Sequence, residues 1–133
     1  MNREIKFRGQ LVGTKEWVYG DLVHQYWKQG DTFLECAIRY KIKGVYSYPM
    51  EVIPESVGQF TGLHDKNGIE IYEGDIVSLM DEEVTVLYNS SQASFDFMMV
   101  SGECAPMVLS NGWEPNRDHI EITGNIHQTP PTP

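Results

Sequence analysis

No stretch of this chain sustains an apolar repeat of helical period over three turns, whereas short runs of β-branched and aromatic residues recur along its length. That pattern excludes a helical bundle and points to an all-β protein with very little helix. Glu4-Ile5-Lys6-Phe7-Arg8 alternates polar and apolar residues, as a half-buried strand does. Glu16 to Tyr19 and Asp21 to Trp27 read as β segments with Gly20 between them as a bulge or bend. Thr32 to Lys43 reads as a strand that turns at Lys43-Gly44 into Val45-Tyr46-Ser47-Tyr48. Pro49 and Pro54 bracket Glu51-Val52-Ile53 and limit it to a short or edge strand. Glu55 to Gly58 is at most one helical turn.

The second half repeats the theme. Asp65-Lys66-Asn67-Gly68 is a turn signal, followed by Ile69 to Tyr72 and Asp75 to Leu79. Val84 to Tyr88 ends at an Asn-Ser-Ser-Gln turn, and Ser94 to Val100 and Ile120 to His127 complete the set. The apolar positions of these patterns predict a core containing Phe7, Trp17, Leu22, Ile71, Ile76, Val86, Phe97, Ile122 and Ile126. Phe7-Arg8-Gly9 followed by Gly20-Asp21-Leu22-Val23 is echoed by Phe60-Thr61-Gly62 followed by Gly74-Asp75-Ile76-Val77. The echo suggests two related β units. In each, Gly would permit a bend and Asp would hold a turn. The expected organisation is an N-terminal β unit over 1–60 and an acidic C-terminal β unit over 61–128. At least one of these packed units, with the second as the candidate, is expected to be an SH3-like barrel. An extended Pro-rich tail over 129–133 follows.

Three blocks resemble the YopX family of phage and prophage proteins. The most specific is Val57-Gly58-Gln59-Phe60-Thr61-Gly62-Leu63, the Lys66-Asn67-Gly68 turn, and Ile71-Tyr72-Glu73-Gly74-Asp75-Ile76-Val77. The start, Arg3 to Arg8, and the ending, Glu121-Ile122-Thr123-Gly124-Asn125-Ile126-His127, also fit, and His64 departs from the pattern only at a polar position. The resemblance implies a mostly β fold and brings no catalytic residues with it. The shared positions are glycines, turn residues and β formers, which specify folds.

Charge narrows the function classes. The net charge is −9. Residues 1–60 hold eight Lys/Arg and seven Asp/Glu, a balance of +1, whereas residues 61–133 hold two and twelve, a balance of −10. The second half repels phosphate backbones and attracts cationic partners. The first half interleaves aromatic and basic residues: Trp17, Tyr19, Tyr26, Trp27, Lys28, Arg39, Tyr40, Lys41, Lys43, Tyr46 and Tyr48. Such stacking platforms bind single strands in small barrels. The charge balance nevertheless makes nucleic acid the lesser expectation, because phosphate neutralisation drives most of that affinity.

Catalytic and metal signatures are missing. With Gly68 at the sixth position of a calcium loop, the first and twelfth positions would be Leu63 and Gly74, so the register fails. Glu73, Asp75 and Asp81-Glu82-Glu83 read as turn and loop-tip carboxylates. His24, His64, His119 and His127 have no ligand spacing. Nucleophile elbows and Gly-rich phosphate loops are absent from the sequence. Asn89-Ser90-Ser91 matches a glycosylation acceptor, which a cytosolic protein would not use. Cys36 and Cys104 allow one disulfide, but a cytosolic setting favours two reduced thiols. No apolar run could span a bilayer and no signal-like stretch opens the chain, so the expectation is a cytoplasmic protein of the bacterial host.

The reading is a non-enzymatic phage or prophage accessory protein without catalytic, cofactor or metal residues, acting through protein–protein contacts with a phage or host protein. A homo-oligomer is expected from unpaired sheet edges, the charge split and fifteen aromatic residues. The alternative is a nucleic-acid-binding small β-barrel module.

Overall fold

The computed structural model describes residues 4–28, 32–79, 81–91, 93–99, 102, 104–106 and 120–127. The chain forms two compact units, Met1–Phe60 and Thr61–Pro133. Their strands all pair antiparallel, and among the described residues the one helical element is a 3-10 turn over Pro54–Ser56.

The first unit contains β1 (Phe7–Gln10), β2 (Trp17–Lys28), β3 (Thr32–Arg39), β4 (Lys41–Ile42), β5 (Val45–Tyr46), β6 (Met50–Glu51) and the start of β7 (Gly58–His64). Its main sheet runs β6-β3-β2-β1-β7, and β4 and β5 form a separate two-stranded hairpin. β6 lies at the sheet edge, where its flanking prolines remove no interior ladder bond. The two segments expected on either side of Gly20 are one continuous strand. Gly20 sits inside β2 at φ 155°, and a Cβ there would lie 2.2 Å from the carbonyl oxygen of Arg39. Glycine is needed for close backbone approach to β3, not for a bend. Pro54 opens the 3-10 turn with its fixed φ and no amide to satisfy. The buried Ser56 hydroxyl then accepts from Gln10 N–H at 2.8 Å and donates to Ile53 O at 2.6 Å, tying that turn to β1. Cys36, Ile38 and Val52 form the core, flanked by Phe7, Leu11, Val18, Leu22 and Val57.

The second unit contains the rest of β7, with β8 (Glu70–Tyr72) beside it, and β9 (Asp75–Leu79), β10 (Glu82–Asn89), β11 (Ser94–Met98), β12 (Cys104–Pro106) and β13 (Ile120–Asn125). Its five-stranded sheet runs β12-β11-β10-β9-β13. Among the described residues no strand pair joins β12 to β13, so the sheet is open where an SH3-like barrel would close. Ile71, Val77, Val84, Val86, Phe97 and Ile120 form the core, with Leu63, Leu79, Phe95, Met99 and Ile122 packed around it.

Three of the expected core positions are corrected. In β9 the inward positions are Asp75 and Val77, leaving Ile76 half-buried on the other side. Ile126 follows the end of β13 in a turn and is 56% exposed. Trp17 is half-buried beneath Arg8 and does not belong to the first core. The Pro-rich tail over 129–133 lies outside the described residues.

Candidate interaction surface

The β4–β5 hairpin is built by a few local rules. β3 ends at Arg39, and the two-residue Lys43-Gly44 turn places both residues at positive φ, 51° and 84°. That is the backbone hand of a turn that matches strand twist. Lys41 pairs with Tyr46 and Ile42 with Val45. Ser47 closes the base. Its N–H donates to Tyr40 O at 2.7 Å, and its hydroxyl oxygen accepts from Tyr40 N–H at 3.0 Å while donating to Tyr48 O at 3.1 Å.

What this hairpin shows to solvent is unusual for a soluble surface. Ile42, Val45 and Tyr48 are 57%, 70% and 92% exposed, and Tyr40 and Tyr46 are exposed beside them. A scattered exposed apolar residue means little, but a contiguous apolar patch marks an interaction site. Fully burying an Ile or Val side chain is worth about 1.5–3 kcal/mol, so covering this hairpin is a substantial driving force. Register puts Ile42 and Val45 on one face of the hairpin and Lys41 and Tyr46 on the other, and the cations lie on the Tyr46 face. The Arg39 guanidinium lies 4.2 Å from the Tyr46 ring centroid and Lys41 Nζ lies 5.3 Å from it. Arg39 Nε is buried with no hydrogen-bond partner among the described residues, so the stack with Tyr46 is its evident contact.

A second cation–aromatic stack lies in the main sheet. Arg8 is buried with its guanidinium 4.5 Å from the Trp17 ring centroid, and its cross-strand neighbour Tyr19 is exposed. The expected aromatic and basic residues are thus split between two places. Tyr40, Lys41 and Tyr46 share the hairpin, and Lys43 forms its turn. Trp17 and Tyr19 share β2. The side chains of Tyr26, Trp27 and Lys28 lie outside the described residues.

The carboxylates of the second unit have structural duties. Buried Asp65 accepts from Asn67 N–H and Ile69 N–H through Oδ1, both at 2.9 Å, and from Ile122 N–H through Oδ2 at 3.1 Å. Those bonds close the hairpin turn of the Lys-Asn-Gly segment and fix it to β13. Asp75 accepts from Tyr72 N–H at 2.8 Å across the turn made by Gly74, whose φ is 95°. Buried Asp96 accepts from Asn89 Nδ2 and Ser94 Oγ, both at 2.9 Å. Among the described residues no three His, Cys, Asp or Glu side chains are placed to hold a metal ion. His24 is exposed, His64 and His127 are half-buried, and His119 lies outside the described residues. Cys36 is buried in the first core, while the side chain of Cys104 lies outside the described residues. Asp81, Glu82 and Glu83 are exposed at the β9–β10 turn.

Sequence reasoning named the Lys43-Gly44 turn and the strand after it but not the exposure of their apolar side chains. The residues concerned are close in sequence: residues 40–48 hold Ile42, Val45 and three tyrosines. No described helix is long and apolar enough to cross a membrane.

A family model described as YopX protein matches residues 6–131. The fold is similar to that of the crystal structure of protein EF1440 from Enterococcus faecalis. The TM-score is 0.52 and the identity 22%, with 96% of each chain covered. None of the curated proteins matches the chain.

Proposed function

We propose that this chain, which belongs to the YopX family, is a non-enzymatic accessory protein of phages and prophages that acts in the host cytoplasm through protein–protein contacts. The observation that supports the reading is the β4–β5 hairpin, which exposes Ile42 and Val45 on one face and Tyr46, stacked with Arg39 and Lys41, on the other. Interface cores favour aromatic residues and arginine and disfavour lysine, so Tyr46 with Arg39 supplies the anchor and the lysines supply steering at the rim. Nucleic-acid binding would use the same tyrosines as stacking surfaces, and its salt dependence separates the two readings.

The test is capture from lysate of host cells carrying the phage, using the full chain and an Ile42→Ser/Val45→Ser variant. The reading predicts that a defined protein is retained by the wild type and lost with the variant, whose far-UV circular dichroism is unchanged. Equal capture by both proteins would remove the hairpin from the account. Binding to single-stranded DNA that falls steeply with salt would move the assignment to the nucleic-acid module.

A further inference from the structure

The acidic unit offers a surface that complements the hairpin. Its balance of −10 overstates what reaches solvent, because Asp65, Asp75 and Asp96 are buried against their own turns and strands. Exposed Glu121 is paired with Lys66 at 3.3 Å. Among the described residues of this unit Glu70 and Glu73 are half-buried, and the other exposed carboxylates are Asp81, Glu82 and Glu83. Register places Glu83 of this group next to apolar surface, while Glu82, paired with Leu79, has the parity of the core side. Glu83 and Glu121 both pair with Ser78, forming one cross-strand row over β10, β9 and β13. The neighbouring row on the same side is Ile76, Thr85 and Met98, over β9, β10 and β11. This side is opposite the core positions Val77, Val84 and Val86, and Met98 is exposed on it. Thr123 steadies the acidic row by donating from Oγ1 to Glu83 Oε2 at 3.1 Å.

We propose that the β4–β5 hairpin docks on the acidic face at the β9–β10 turn of a second copy of this chain. The proposal rests on reading the hairpin as a protein-contact surface and names its occupant. Residues 39–48 hold Arg39, Lys41 and Lys43 and no acid, so they meet Asp81, Glu82 and Glu83 with opposite sign. Tyr46, which shares its hairpin face with Arg39 and Lys41, meets Ile76 and Met98, matching apolar against apolar. The contact joins two different surfaces. It can be made twice in a two-fold dimer or propagate head to tail until a ring closes.

Light scattering of the full chain over a range of concentrations is the test, with a charge-swap series. The wild type should show a mass above the 15.2 kDa of one chain, rising with concentration. Lys41→Glu with Lys43→Glu should return it to the single-chain mass, and adding Glu82→Lys and Glu83→Lys should restore association. In about 0.5 M salt, where charges are screened beyond roughly 4 Å, the wild-type mass should fall. A single-chain mass at every concentration overturns the proposal, and so does a dissociated variant that the reciprocal swap does not rescue. If the wild type is a single chain yet captures another protein through Ile42 and Val45, self-docking fails while the contact reading stands.

Discussion

Asp65 is 2% exposed and accepts three backbone N–H groups, two in the turn it closes and one from β13. Hydrogen bonds to a charged group are worth about 1.5–3 kcal/mol, and orphaned buried donors carry a similar penalty. Asp65→Ala should therefore lower the unfolding free energy by about 2–3 kcal/mol in urea denaturation. Asp65→Asn should fall between the two, since one oxygen still serves Asn67 and Ile69 while an amide NH2 faces the Ile122 donor. An Asn variant as stable as the wild type would show that the bond to Ile122 contributes nothing. Gly74 makes the adjacent turn at φ 95°, where a β-branched side chain is strained, so Gly74→Val should cost about 1 kcal/mol or more. An unchanged melting temperature would refute that structural role. The Gly74-Asp75 pair was legible in sequence because turn chemistry is local. Its echo at Gly20-Asp21 was not, because the reason for Gly20 is a carbonyl of Arg39 far along the chain, and Asp21 is exposed. The two pairs share letters but not a role.

At the scale of elements, alternation gives a strand but not always the side that faces inward. Asp75-Ile76-Val77-Ser78-Leu79 can be read with Ile76 inside, and a charged first residue argues for that choice. The opposite parity holds because the Asp75 carboxylate has a backbone donor waiting at Tyr72. β12 escaped the sequence reading because Cys104-Ala105-Pro106 lacks β-branched residues and ends in proline. At the end of the sheet order, that proline costs no interior ladder bond. The hairpin of the candidate surface was half legible. Gly44 announces its turn, whereas exposure of Ile42 and Val45 depends on how the rest of the chain packs, which local pattern does not reveal. Its base depends on Ser47. Ser47→Ala removes the acceptor of Tyr40 N–H, so amide exchange at Tyr40 should accelerate while global stability drops by only about 1 kcal/mol. Exchange at Tyr40 that stays as slow as in the wild type would mean the hydroxyl does not hold the hairpin.

For the whole molecule, the sequence shows one half near neutral and one strongly acidic, and the structure adds which of those charges are exposed. The acidic half has spent part of its charge inside, on Asp65, Asp75 and Asp96, and exposes Asp81, Glu82 and Glu83 at the β9–β10 turn. The near-neutral half carries three of its eight cations, Arg39, Lys41 and Lys43, on or beside a hairpin with exposed apolar side chains. The central claim is that this hairpin is where the protein meets another protein. A photo-crosslinking amino acid placed at Tyr48, the most exposed of these side chains at 92%, tests it in the cell. The same group placed at exposed Lys15 on the β1–β2 connection serves as the control. A discrete protein adduct at position 48 and none at position 15 is the predicted result. No protein adduct at position 48, or adducts with nucleic acid instead, would contradict the account.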